Sequence, residues 1–250
     1  MNNHDLLACF LEDQTIFNEE NIVNNLIAFI FAGVETSHYA AQTITAILAS
    51  KQRILEKARA EFDEQIRKPA IEEDASIASL STADMLDKIL SYENTSELEY
   101  ASMIMLEAMR LQPPAPNSQV YHVMKDLTLG KCSFKKGDKL AINFQAIGHD
   151  PTLWQRPMEI IPERFDHQDP LFLTPDGKRR PNTALIPFHG GSRVCFGKTL
   201  AETDLKVFMS YMSEMFDMEF EDEKYMSELP LAQSMQSAQP PIWLKLTNRK

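Results

Sequence analysis

Phe188-His189-Gly190-Gly191-Ser192-Arg193-Val194-Cys195-Phe196-Gly197 stands just before an amphipathic stretch, 198–216, that reads as the last long helix of the chain. A cysteine next to a helix N-terminus has its thiolate favoured by the helix dipole and by amide N–H groups without intrahelical partners. Gly191 and Gly197 allow the backbone to turn sharply and to approach closely around that sulfur. Arg193 supplies a fixed cation suited to a carboxylate, and Phe188 is placed to shield the sulfur from water. Taken singly, a cysteine in a glycine-rich turn is more often an inert buried residue. Here Phe188, Gly191, Arg193, Cys195 and Gly197 all occur together, at fixed spacing, within one ten-residue segment.

Two further constellations lie upstream. In Glu107-Ala108-Met109-Arg110 the charged residues are three apart and share a helix face. Most such pairs are solvated and contribute under about 1 kcal/mol. The apolar neighbours Ile104, Met105, Leu106, Met109 and Leu111 point instead to a buried helix, where an ion pair must be well satisfied. Pro162-Glu163-Arg164-Phe165 supplies a second arginine. Ala32-Gly33-Val34-Glu35-Thr36 sits in the middle of a long apolar stretch, where a hydroxyl ordinarily bonds back to a preceding carbonyl.

In this order, these segments resemble the motifs of the cytochrome P450 family: its oxygen-binding helix A-G-x-E/D-T, its E-x-x-R helix, its P-E-R-F segment and its F-x-x-G-x-R-x-C-x-G loop. Phe17-Asn18-Glu19-Glu20, Lys136-Gly137-Asp138, and His149-Asp150-Pro151 with Trp154 extend the likeness over nearly the whole chain. The resemblance implies a mainly α fold with small β-sheets, the C-terminal portion of the cytochrome P450 fold. It implies one partial domain over residues 1–250, from the oxygen-binding helix to the C-terminus, with the N-terminal half of the family fold absent. The lid and most of the substrate pocket would belong to that half.

The resemblance also assigns roles. It implies haem b (iron protoporphyrin IX) with Cys195 as the axial thiolate on iron, and Phe188, Gly191, Arg193 and Gly197 around the cofactor, Arg193 meeting a propionate. A thiolate ligand pushes electron density onto haem iron and favours O–O cleavage. Thr36 and Glu35 become the catalytic candidates, the hydroxyl holding dioxygen and the carboxyl relaying protons, while Gly33 leaves room beside the haem. Glu107, Arg110 and Arg164 are expected to lock together and brace the cysteine loop. The family often places an arginine or histidine near the start of the first strand to meet a propionate. Tyr121 and His122 both fall within one residue of that position, and His122 reads equally well as an ordinary strand histidine.

The implied reaction is monooxygenation. One atom of dioxygen enters a small apolar substrate, with electrons from an NADPH-linked reductase or another donor. Lys178-Arg179-Arg180, near Lys198, suits an acidic reductase surface, although a basic run is more often a solvated loop. Two rivals stand beside this reading. One is a thiolate-haem enzyme that rearranges peroxides without a reductase, against which the intact Glu35-Thr36 pair argues. The other is a truncated, catalytically incompetent chain that keeps the motifs without a stable haem site.

Composition narrows the classes. The chain has 250 residues and a net charge of −11, which argues against nucleic acid as a partner. Its 3 cysteines, Cys9, Cys132 and Cys195, are odd in number and widely spaced, as in a reducing compartment rather than a disulfide framework. An intracellular location follows as an expectation, with an endoplasmic-reticulum membrane the site of full-length family forms. Asp5, Glu12 and Asp13 interrupt any leader, and the apolar run Leu26 to Val34 is far short of a bilayer span, so no anchor is expected in this chain.

The spacing predicts helices over 4–12, 19–49, 51–67, 98–111 and 198–216, with Asn18 capping the second and Pro69 ending the third. The helix over 19–49 is apolar all round in its middle and is expected to cross a core. Residues 70–82 read as a loop. Short strands are expected over 118–123 and 126–129, with Gly130 and Gly137 in turns, and a strand-like tail over 242–246. The proline-rich stretch from Pro151 to Pro187 reads as irregular chain serving a site. No domain boundary is visible.

Overall fold

The computed structural model describes residues 5–12, 16–226 and 243–249. A short helix α1 (Leu6–Glu12) leads into α2 (Glu19–Ser50), whose 32 residues begin where the Asn18 side chain accepts the Asn21 N–H at 2.8 Å. This satisfies one of the donors a helix start leaves open. Residue 4, the first of the expected α1 stretch, lies outside the described residues. Lys51 both ends α2 and starts α3 (Gln52–Phe62), so the two helices abut with no loop.

Pro69 does not stop α3. A π-helical turn over Asp63–Arg67 follows, in which the Lys68 N–H reaches the Asp63 carbonyl, and α4 (Lys68–Glu73) carries Pro69 in its first turn. There the missing proline N–H matters least. The expected loop over 70–82 is correspondingly shorter and contains a 3₁₀ turn, Ala75–Ser79, capped by Asp74. Helices α5 (Thr82–Ile89), α6 (Tyr92–Thr95) and α7 (Glu99–Leu111) follow, the first two capped by Ser81 and Ser91.

Beyond α7 the described chain forms two small two-stranded antiparallel sheets. β1 (Tyr121–His122) and β2 (Leu127–Leu129) precede β3 (Cys132–Phe134) and β4 (Lys139–Leu140); β1 pairs with β4 and β2 with β3. Gly130 and Gly137 turn the chain at φ +58° and +97°. After α8 (Phe144–Gly148), the chain to Pro187 is irregular, as expected, and carries 3₁₀ turns at Pro162–Phe165, Pro170–Phe172 and Asn182–Ala184. Helix α9 (Lys198–Met215) runs into β5 (Phe216–Phe220), which pairs antiparallel with β6 (Leu244–Asn248). The expected tail began at Ile242, which lies outside the described residues.

One core joins these elements. Ile44, Ile47 and Leu48 of α2 pack with Ile54 and Phe62 of α3, Leu86 of α5, Ile104 and Met105 of α7, Leu205 and Met209 of α9, and Met218 of β5. The expectation for α2 needs correction here. Its C-terminal part is core, but its middle is open: Ile27, Ile30, Phe31 and Val34 are 60–67% exposed. The physical reason is that α7, α9, α3 and β5 crowd the helix end, leaving the apolar middle to α1 and one loop ring. Among the described residues no helix is long and apolar enough to cross a membrane.

Candidate functional site

Glu107 and Arg110 on α7 and Arg164 in the 3₁₀ turn are each 0% exposed. Arg110 donates to both Glu107 carboxylate oxygens, at 2.8 and 3.0 Å, and Arg164 Nε donates to Glu107 Oε1 at 3.1 Å. The Ile161 N–H adds a third donor group to the same carboxylate at 2.8 Å. The remaining guanidinium hydrogens go to carbonyls of the irregular chain: Arg110 to Gly148, Pro157 and Glu159, and Arg164 to Gln155, Arg156 and Glu159. Burial and the neighbouring Arg110 push the Arg164 pKa down, and the Glu107 carboxylate opposes them. A buried charge set is stable only when every member is bonded in this way. The three residues expected to lock together do so.

From this lock a packed path leads towards the cysteine loop. Gly148 ends α8, and its carbonyl accepts from Arg110. A Cβ at Gly148 would collide with the Arg110 carbonyl, so only glycine fits there. At the other end of α8 the Phe144 ring meets His189 edge-on, with ring centroids 4.9 Å apart. Sequence reading passed over Phe144 and Gly148, since neither carries a chemical signal of its own.

Around the lock stand two more groups. Glu163 receives Arg53 and Lys57 of α3 and the Tyr100 hydroxyl of α7. Burial alone would raise its pKa, but the hydrogen bonds from Arg53 and Lys57 outweigh it and hold the carboxyl at about 2. Arg180 corrects the reading of Lys178-Arg179-Arg180 as one exposed basic run. Its guanidinium lies 4.2 Å over the buried Trp154 ring and donates to the carbonyls of Leu171, Leu173 and Arg164. Burial, then Arg164 and Arg110, lower its pKa to about 10. Lys178 remains exposed and pairs with Asp176 at 2.6 Å.

The cysteine loop itself is a turn anchored at one side and open at the other. Phe188 packs its ring against the core, and its carbonyl accepts the Cys195 N–H at 2.8 Å. Gly191 has φ +65°, a region that favours glycine, and begins a 3₁₀ turn over Gly191–Arg193. His189 takes φ +61°, an uncommon value for a residue with a Cβ. Gly197 adopts φ −85°, so its backbone alone does not require glycine. Cys195 lies three residues ahead of α9 and is exposed, unlike an inert structural cysteine. Arg193 is exposed and makes no ion pair or hydrogen bond with the described residues.

Next to the loop runs the open middle of α2. Phe196, 79% exposed, touches Phe29 with ring centroids 5.2 Å apart, and Val194 and Leu200 are also exposed. Loop and helix thus meet at Phe29 and Phe196, and the loop also exposes the Cys195 thiol. Thr36 donates to the Ala32 carbonyl at 2.7 Å, and Glu35 stands beside it, half-buried. No side chain lies within 4 Å of the position a Gly33 Cβ would take. On β1, side chains alternate between faces: Tyr121 shares its face with the buried Val123, and His122 shares the other with exposed Val120 and Met124.

Comparison with known proteins shows the family. The sequence model of the cytochrome P450 family matches residues 1–245. Steroid 17-alpha-hydroxylase/17,20 lyase of Rattus norvegicus is 24% identical over 100% of this chain and 45% of its own length. Cytochrome P450 82A2 of Glycine max is 28% identical over 85% of this chain and 37% of its own. The crystal structure of a cytochrome P450, CYP102L1, superposes with a TM-score of 0.74 and 23% identity, covering 94% of this chain and 47% of that one. The chain therefore spans somewhat less than half the length of the relatives it matches. Motif order, mainly helical fold and a family match over residues 1–245 converge: this chain belongs to the cytochrome P450 family.

Proposed function

We propose that this chain is the C-terminal, haem-carrying portion of a haem-thiolate monooxygenase, a partial domain over residues 1–250 in which Cys195 ligates the iron. The observation that carries this reading is an exposed thiol flanked in its loop by exposed Val194 and Phe196 and by Arg193, which makes no ion pair among the described residues. Those residues fit haem b. A planar apolar ring suits Val194, Phe196 and the open face of α2, and an acidic side arm suits Arg193. When bound, haem supplies the dioxygen chemistry, in which a substrate C–H, dioxygen, two electrons and two protons give an alcohol and water.

The chain's own residues have narrower tasks. Cys195, just ahead of α9, presents its sulfur as the iron ligand. Gly191 turns the backbone around it, Phe188 anchors the loop, and Gly197 leaves its outer side clear. Thr36 donates its proton to Ala32 and keeps lone pairs free to accept a bond on the open side of α2. Glu35, one residue away, carries protons to that point. His122 is a propionate contact, on the exposed face of β1. Electrons come from an NADPH-linked reductase or another donor, and the substrate is a small apolar molecule. The large open surface gives weight to a second reading, in which the 250-residue chain on its own is catalytically incompetent.

Thr36→Ala tests the assignment in a family-length protein carrying this chain. The back-bond it removes is exposed, so haem content should be unchanged while product formed per NADPH consumed falls and peroxide is released. Unchanged coupling would remove Thr36 from the reaction.

A further inference from the structure

We infer that Arg180 is a positioning residue for the cysteine loop, clamping the chain that enters the loop onto the buried Trp154. This rests on the reading of Cys195 as the cofactor ligand. Trp154 is 1% exposed and fixed by its own N–H, which donates to the Ile147 carbonyl at 3.0 Å. The Arg180 guanidinium lies 4.2 Å over that ring and 5.4 Å from the Phe172 ring centroid. It donates at 2.6 Å to the Arg164 carbonyl and at 2.7 Å to the Leu171 carbonyl.

This placement is electrostatically unfavourable. Arg110 and Arg164 face the same ring, at 5.3 and 5.9 Å, and Glu107 already serves both of them. Among the described residues Arg180 has no ion-pair partner. A cation set among cations, held by carbonyls and π-faces alone, carries a desolvation cost that the geometry it fixes must offset. That geometry is the entry to the loop. Pro181 follows at φ −65°, then a 3₁₀ turn whose Ala184 is 3% exposed, and then Phe188, whose carbonyl receives the Cys195 N–H. A stiff proline and a buried turn give the intervening chain little slack. Displacing Arg180 therefore displaces Phe188 and the Cys195 turn. Lysine cannot replace it, because only a planar guanidinium both stacks and donates as a fork.

Hydrogen exchange of the 250-residue chain without haem tests this, read by mass spectrometry on peptides from 186–197 and from α7. Arg180→Gln and Arg180→Lys are expected to speed exchange in the 186–197 peptide by about tenfold and leave α7 unchanged. Leu205→Ala, a core truncation on α9, should instead raise both together. Loop exchange at the parent rate in both Arg180 variants, or a rise matched in α7, would overturn the inference. Arg180→Lys decides alone if Arg180→Gln does not fold. A haem titration of a family-length protein carrying this chain separates the two readings. A loop that loosens in the Arg180 variants while that family-length protein binds no haem leaves the clamp standing and sinks the cofactor reading, and the converse result does the reverse.

Discussion

At the scale of single residues, Glu107 is the side chain on which most others depend. Among the described residues it is the carboxylate bonded to two fully buried guanidiniums, and it also accepts from the Ile161 amide. Glu107→Gln would leave Arg110 and Arg164 buried without their counter-charge. Breaking one partner of a buried set costs about 3–5 kcal/mol. Chemical denaturation of the variant should show a loss of that size, and a loss below about 1 kcal/mol would mean the pair behaves as a surface pair. This trio was legible in the sequence because E-x-x-R and P-E-R-F carry charge in an apolar setting. Arg180 was not legible. In Lys178-Arg179-Arg180 three similar cations follow one another, and only packing decides that the third turns inward onto Trp154.

Among the elements, the long helices α2, α7 and α9 were readable from apolar periodicity and from the Asn18 cap. The passage of the chain through Pro69 was not. A π turn changes the hydrogen-bond register without any residue that announces it. In the middle of α2 the sequence shows an apolar face correctly, but such a face states only that something covers it, not what does. α8 shows how an unremarked element can matter. It links the Glu107 lock to the cysteine loop through Gly148 at one end and Phe144 at the other. Gly148→Ala should push α8 off the Arg110 carbonyl and destabilise the protein by about 1–3 kcal/mol, as overpacking does. Thermal unfolding checks this, and an unshifted midpoint would mean that α8 moves without cost.

For the molecule as a whole, the dominant feature is the exposed apolar area on the middle of α2 and on the cysteine loop, which meet at Phe29 and Phe196. Ile27, Ile30, Phe31, Val34, Val194, Phe196 and Leu200 are all more than half exposed. Contiguous exposed apolar patches beyond roughly 300–600 Å² mark binding surfaces or aggregation hazards. Residues 1–250 expressed alone are therefore expected to self-associate, hold haem weakly and show no monooxygenase turnover. Light scattering after size exclusion reads the first of these. A soluble monomer with stoichiometric haem and steady turnover would instead make the chain a self-sufficient short enzyme.

The central claim is that Cys195 is the thiolate ligand. The carbon monoxide spectrum of the reduced protein tests it most directly, recorded for the parent and for Cys195→Ser in a family-length protein carrying this chain. A neutral hydroxyl cannot replace an anionic sulfur on haem iron. The parent should give the strongly red-shifted Soret band of a thiolate-ligated haem, and Cys195→Ser should lose it. A variant that keeps the band would place the ligand at Cys9, at Cys132 or outside this chain, and would contradict the assignment.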